Sequence, residues 1–563
     1  MNGQLKNING LSIQSLKGCS FTIHHSPFTI HNSPFTKMHQ QKSLVEYGAR
    51  RVIITVTAIL CALLEIVDTT IVNVALNDMR GNLGATLTEV GWVITAYAIG
   101  NVIVVPMTSW LSQQFGRRNY FAASIILFTV CSFLCGNANG IWELVFFRFL
   151  QGLGGGALLV TSQTIITESY PPEKRGMAQA IYGLGVIIGP TLGPPLGGYI
   201  VDHFSWPYIF YINIPIGVVA TLLTLQFVRS PKYSEKKLRS EIDWLGIALL
   251  AIAVGSLQYV LEKGEDDDWF NSITIIILAV AAILGLFFFI WRELSHKNPI
   301  VELRVLKNGN LRIGTILSFI MGFGLYGSTF IIPLYTQSTL GWTAQQAGML
   351  MIPAALTTAF TMPIIGTLLQ RGVPQQYLIA AGMLLFFIFT FWGYEILTPN
   401  TDADAFFWML IVRGLGMGML FIPITTLSLS TLKGQQIGQG AAFTGMMRQL
   451  GGSFGVASIT TFMARQNMVH RNALVSKLDV NNSLVQQRVL AMQHGFMAKG
   501  MPADLALKTS YKSLDYMVMK QAGVLSYMDV FLYLGLMFLI CTPVVLLVKA
   551  NKKQKIDIDE AKH

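Results

Sequence analysis

The apolar run LLEIVDTTIVNVALN holds two carboxylates, Glu65 and Asp68. On a helix, Glu65, Thr69 and Asn73 share a four-residue stripe, and Asp68 flanks Glu65 at i+3. An ionisable group in hydrocarbon costs roughly 2.5–3.5 kcal/mol on insertion scales, so two acids on one face ask for a purpose. Neighbouring carboxyls in a low dielectric resist losing both protons, which suits them to proton exchange. A helix–helix hydrogen-bonding site is the alternative for the same face. A second apolar run, FFRFLQGLGGGALL, carries Arg148, a cation that stays charged and needs a carboxylate, carbonyls or water. Asp68, Glu65 and Arg148 are therefore the expected proton-coupling residues.

Elements that hold such residues must cross a bilayer. Of 563 residues, 52% are hydrophobic and 12% charged, against roughly a quarter charged in soluble domains. About 20 apolar residues span the hydrocarbon core. Fourteen such runs are found, near 52–76, 89–111, 119–137, 142–166, 176–200, 206–228, 243–262 and 271–292, then 312–337, 346–369, 376–397, 405–430, 437–463 and 524–548. Spanning segments without alternating ten-residue strands are helices, so the fold is all-α and integral to the membrane.

Basic residues fix the expected orientation. With the N-terminus cytoplasmic, the inner loops hold Arg117, Arg118, Lys174, Arg175, Arg371 and Lys433. They also hold five lysines and arginines between Arg229 and Arg239, and five between Arg292 and Arg312. The short outer loops hold Arg80 and Lys263 beside the acids Glu265 to Asp268. An even number of spans returns the basic tail, with Lys552, Lys553 and Lys555, to the cytoplasm. Loop charge of this kind accounts for most of the net +11 without nucleic acid.

Other function classes find no support. The five cysteines show no disulfide or metal-ligand spacing, and no metal or cofactor is expected. Residues 1–48 read as a disordered cytoplasmic tail with a tandem FTIHHSP/FTIHNSP repeat from Phe21 to Pro34 and no signal-peptide core. No GxxxxGK[ST] loop is present, which argues against an ATP-driven pump. A membrane enzyme or sensor would need a catalytic or ligand domain; 465–523, an external segment of mixed polarity, is the sole candidate and shows no such constellation. One or two amphipathic helices fit that segment, serving as a cap, a gate or a docking surface.

Small residues set the packing. The fifth span, GLGVIIGPTLGPPLGG, places Gly185, Gly189, Gly193 and Gly197 at four-residue intervals, a stripe for close helix contact. Pro190, Pro194 and Pro195 in the same span imply a bend, hinge or shaped cavity.

These residues resemble a family. DTTIVNVAL (Asp68–Leu76), SWLSQQFGRRNY, RFLQG and GPTLGPPLGG occur in the order of the motifs of the major facilitator superfamily. Fourteen spans and the first motif make the chain similar to its drug–proton antiporters of the EmrB and QacA kind, from about Arg51 to Ala550. The resemblance implies two six-helix bundles, 49–230 and 301–550, flanking two inserted transmembrane helices within 231–300, with a cytoplasmic tail at 551–563. It implies that the proline–glycine span marks an antiporter, and that Asp68, as the motif acid, outranks Glu65. In the loop motif Gly116, Arg117 and Arg118 match. Ser109 and Gln113 replace its usual glycine and aspartate, which removes the aspartate's charge latch, and Asn77 stands where proline is common.

Internal symmetry agrees: Arg413 with GLGMG echoes Arg148 with its glycines, and GMMRQLGGSFG echoes the fifth span and adds Arg448. Repeated halves around a central site alternate access. The expected function is proton-driven export of small amphipathic compounds or drugs across the cell's inner membrane. A cavity lined by Tyr97, Asn101, Gln337, Arg413 and Arg448 would receive them. A dedicated exporter of a metabolite, siderophore or lysolipid is the alternative. In a two-membrane cell the resemblance implies a periplasmic adaptor protein and an outer-membrane channel; other partners are the small-molecule substrate, protons and membrane lipid.

Overall fold

The structure, a computed structural model, describes residues 45–231, 242–296, 298–479 and 481–547. The Phe21–Pro34 repeat, the basic residues Lys232, Lys236, Lys237, Arg239 and Lys297, and the tail 551–563 lie outside the described residues. Regular structure among the described residues is helical throughout, as lipid demands of a spanning backbone.

The helices are α1 (Gly48–Leu83), α2 (Leu87–Phe115), α3 (Arg117–Gly136), α4 (Ile141–Ser169), α5 (Arg175–His203), α6 (Tyr208–Tyr211) and α7 (Asn213–Phe227). Then come α8 (Trp244–Lys263), α9 (Ile273–Ser295), α10 (Gly309–Ser338), α11 (Ala344–Leu350) and α12 (Ile352–Gln370). The last are α13 (Gln375–Ile396), α14 (Ala403–Leu429), α15 (Gln435–Val475), α16 (Ser483–Ala498) and α17 (Ala503–Leu547). Thirteen helical stretches among the described residues are long and apolar enough to cross a membrane. The remaining expected span lies in α15, whose 41 residues give it the length. Its glycines, glutamines and Arg448 keep it short of that apolar level, because neighbouring helices rather than lipid surround much of it. Counting it gives the fourteen spans read from the sequence.

Close approaches define the bundles. A Cβ placed on Gly189 would sit 2.6 Å from Ile66 Cγ2, and one on Gly197 would sit 2.8 Å from Ile71 Cγ1. The glycine stripe of α5, including Gly185 against Ile59 and Gly193 against Thr70, therefore lies on α1. The C-terminal bundle repeats the arrangement: Gly451 and Gly455 of α15 face the backbone of Phe319 and Phe323 on α10. Glycines in α4 admit α2 and α3 on opposite sides, with Gly156 against Asn101 and Gly154 against Ser124 and Phe128. In α14, Gly414 and Gly416 likewise admit α12 and α13.

The bundles meet along two seams. In one, α5 runs against α11, α12 and α14, with Pro194 and Pro195 against Gly348, and Gly183 against Met362 and Phe421. Two of the three prolines that suggested a bend or hinge, Pro194 and Pro195, thus face the other bundle, and all three lie within an unbroken helix. In the other seam, α2 and α4 meet α15, with Ser109 against Gly438 and Val160 against Gly445. The inserted pair leans on this second seam: Tyr259 packs 5.4 Å from Trp92 on α2, and Gln258 Nε2 donates to Ser453 Oγ on α15 at 2.9 Å. Most side chains of α9 are exposed, as a lipid-facing helix requires.

Three elements depart in detail from the sequence reading. The span expected over 346–369 breaks into α11 and α12, with a Thr343–Gln346 capping box opening α11 and Pro353 in the first turn of α12. The span expected over 206–228 is divided by a short turn between α6 and α7. Segment 465–523, expected to hold one or two amphipathic helices between two spans, has one helix of its own, α16, and takes extensions of both flanking spans: α15 runs on to Val475 and α17 starts at Ala503. At 1.5 Å per residue the 45-residue α17 is ~67 Å long, about twice the ~30 Å hydrocarbon core.

Candidate functional site

Asp68 and Arg148 meet. Arg148 Nη1 lies 2.6 Å from Asp68 Oδ2, and both side chains are almost completely buried (1% and 0% exposed). The α1 acid takes two further donors, Gln151 Nε2 at 3.0 Å and Asn213 Nδ2 at 2.8 Å, both to Oδ1. Arg148 also donates to Gln151 Oε1 (2.7 Å) and the Val93 carbonyl (3.2 Å), and its guanidinium lies 4.2 Å from the Tyr97 ring centre. Asn213 reaches Ser132 Oγ at 3.0 Å. Helices α1, α2, α3, α4 and α7 thus converge on one buried, fully hydrogen-bonded ion pair. Such a pair is stable only with its remaining lone pairs and protons occupied, and removing one partner costs ~3–5 kcal/mol.

Glu65, one turn earlier on α1, is 5% exposed. Its Oε1 accepts from Asn101 Nδ2 at 2.9 Å, and Oε2 has no protein partner among the described residues. Across the seam stands Arg448 of α15, close enough to interact electrostatically with Glu65. Arg448 contacts the Tyr182 hydroxyl of α5 and lies 5.5 Å from the Phe421 ring centre. Tyr97, Asn101 and Arg448, three of the expected cavity residues, therefore gather around Glu65.

The other two do not. Arg413 is buried in the C-terminal bundle, donating to Ser328 Oγ (3.0 Å) and Thr329 Oγ1 (2.7 Å). It repeats the placement of Arg148 with hydroxyls in place of a carboxylate. Gln337 is exposed near the end of α10, so its placement in the cavity is corrected. A residue one position from Ser338, where α10 stops, has run past the packed part of the bundle.

The loop motif forms a second cluster at the end of the seam. Gly116 takes φ +82°, which favours glycine, and turns the chain into α3. Arg117 pairs bidentately with Glu168 of α4, at 2.5 and 3.1 Å, and the Arg118 backbone N–H donates to Ser230 Oγ at 3.1 Å. Gln113, standing where the motif has aspartate, accepts from Gln435 Nε2 of α15 at 2.6 Å. A neutral bond thus joins the bundles in place of a charge. Beside it lies a cavity of about 100 Å³ lined by Trp110, Gln113, Glu302, Gln435 and Gln439 among others.

Sequence reasoning did not single out Gln151, Asn213, Ser132 or Glu168. Gln151 lies inside the RFLQG run, three residues from Arg148, and Asn213 interrupts the apolar FYINIPIGVV; both left a signal. Ser132 and Glu168 left none, because their roles depend on helices meeting far along the chain.

Known proteins share this architecture. The Major Facilitator Superfamily model matches residues 58–456. The multidrug export protein EmrB of Escherichia coli (strain K12) is 35% identical over 449 residues, covering 80% of this chain and 87% of EmrB. The fatty acid resistance protein FarB of Neisseria gonorrhoeae is 32% identical over 503 residues, 89% of this chain and 97% of FarB. Among solved structures, the human organic anion transporter MFSD10 (TETRAN) aligns with a TM-score of 0.53 at 12% identity, covering 87% of this chain and 99% of its own, a likeness of fold. These relatives point to a transporter rather than an enzyme. Many spanning helices around a buried polar centre, a family model over most of the chain and relatives above 30% identity lead to one assignment: the chain is a multi-pass membrane protein of the major facilitator superfamily.

Proposed function

We propose that the protein exports small amphipathic compounds in exchange for protons, by alternating access between its two bundles. Residues 49–230 and 301–550 would act as the rocking halves and 231–300 as an inserted pair. The observation that carries this reading is the buried Asp68–Arg148 pair beside Glu65, with proton-titratable groups at the core of one bundle and a cation of the other facing them. Similarity to EmrB, a multidrug export protein, supports a broad substrate range. Similarity to FarB favours a second reading, a dedicated exporter of a fatty-acid-like or lysolipid amphiphile.

The basic-loop bias supports an inner-membrane protein with both termini cytoplasmic. On that orientation α16 and the extended ends of α15 and α17 rise outside the bilayer. There they would offer a docking surface for a periplasmic adaptor leading to an outer-membrane channel. Expression in a bacterial strain stripped of its own efflux pumps, at matched protein level, tests the substrate reading. Raised resistance to several unrelated amphipathic drugs is expected. Resistance confined to one lipid class would select the dedicated exporter, and none to any compound would contradict export.

A further inference from the structure

Asp68 and Glu65 are one helical turn apart, but the fold places them in different situations. Among the described residues the side-chain donors to Asp68, Arg148, Gln151 and Asn213, all come from the N-terminal bundle. Rocking one bundle against the other breaks none of those bonds. Among the described residues Glu65 takes one hydrogen bond, from its own bundle, and its Oε2 has no protein partner. The charged and titratable groups facing it are Asp68 on α1, Tyr97 on α2, Tyr182 on α5, Tyr326 on α10 and Arg448 on α15. The cation in that set belongs to the other bundle.

Arg448 is correspondingly short of anions. It is 4% exposed, and among the described residues it forms no ion pair. Its own bundle sets its position through the Phe421 ring and the close crossing of α10 and α15, where Gly322 faces the Arg448 carbonyl, and it reaches the Tyr182 hydroxyl of α5 across the seam. Arg448 is thus placed by one bundle and stands near a carboxylate that the other bundle carries.

We propose that Glu65 and Arg448 form a charge couple across the seam, in which Glu65 carries the exchanged proton and Arg448 is the positioning residue that ties its ionisation to the separation of the bundles. This rests on the proton-coupled reading above. Coulomb attraction falls inversely with distance and is weakly screened inside a protein. With the bundles close at this level, the guanidinium favours the carboxylate. With them apart, a proton from the outer side adds to the carboxylate to give the neutral acid. When the bundles close again the O–H bond breaks toward the cytoplasmic side and the carboxylate returns. Asp68 with Arg148 then serves as a permanent pin of the N-terminal bundle.

The test is a distance read against pH. Nitroxides are attached at Asn119→Cys and Gln436→Cys, exposed sites on opposite bundles, in full-length protein in lipid nanodiscs with native cysteines replaced. Pulsed electron resonance between pH 5.5 and 8.5 should show the inter-bundle distance shifting. Glu65→Gln is expected to hold the low-pH distance at every pH, and Glu65→Asp to restore the shift. Arg448→Gln should abolish the shift and Arg448→Lys preserve it. Asp68→Asn should keep it, whatever it does to transport. A shift that survives Glu65→Gln, one lost with Asp68→Asn alone, or a parent protein whose distance ignores pH would each overturn the proposal. Failure of the broader reading shows elsewhere, as parent-protein vesicles without gradient-driven efflux of ethidium or dodecanoate.

Discussion

The ion pair of Asp68 and Arg148 shows what single residues disclose. An arginine inside an apolar run must find an anion or a set of acceptors, so the sequence demands a partner for Arg148. Which partner is a tertiary fact: Asp68 lies 80 positions away. The sequence also ranks Asp68 above Glu65 through its motif, whereas the geometry encloses Asp68 and leaves a Glu65 oxygen available. Arg148→Ala should therefore act mainly on stability, stranding the Asp68 carboxylate at a cost of ~3–5 kcal/mol. Thermal unfolding in detergent should fall sharply and transport should be lost. Adding Asp68→Asn to Arg148→Ala should recover much of the melting temperature without restoring transport, and no recovery would mean the two are not coupled. At the loop motif, Glu168→Gln replaces the carboxylate opposite Arg117 by an amide. Transport is expected to drop several-fold at normal expression, since the motif loop loses its charged anchor on α4.

Among the helices, α5 was the most legible. A glycine every four residues dictates a contact face, and that face lies on α1, the helix with both acids. Its prolines were harder to read, because contact with α11 depends on how the bundles meet. The stretch 343–369 carries both the Thr343–Gln346 box and Pro353, so the division of the span expected over 346–369 into α11 and α12 is written locally, although an apolar span masks such breaks. The helices of 465–523 were legible only as amphipathic stretches, since their continuity with α15 and α17 depends on contacts such as His470 Nε2 with Asp529 Oδ2 at 2.7 Å. Gly189→Leu tests the stripe. A side chain forced against Ile66 should cost ~1–3 kcal/mol of packing, giving an inserted protein with lower thermal stability and little transport. Normal transport at normal expression would mean that α5 and α1 need not touch during the cycle.

For the molecule as a whole, span number and internal repeat were readable because bilayer thickness fixes helix length and because Arg148 and Arg413 mark matching sites. The seams were not, since nothing local says that Gln113 will bond Gln435 or that α8 will lean on α15. The proposed orientation rests on loop charge and has a direct check. Cysteines at Ser483 and Asn119, both exposed, should react with an impermeant maleimide from the outside and only after permeabilisation, respectively. Labelling of both from one side would contradict the fourteen-span topology.

In the proposed cycle proton entry drives export, and vesicle flux measures that coupling. Purified protein is reconstituted into sealed vesicles, a pH gradient is imposed, and movement of ethidium and of dodecanoate is followed against protein-free vesicles. Transport of at least one of them should run opposite to the proton gradient, stop when an ionophore collapses that gradient, and be indifferent to ATP. Flux that persists at full rate without a gradient would rule out proton coupling.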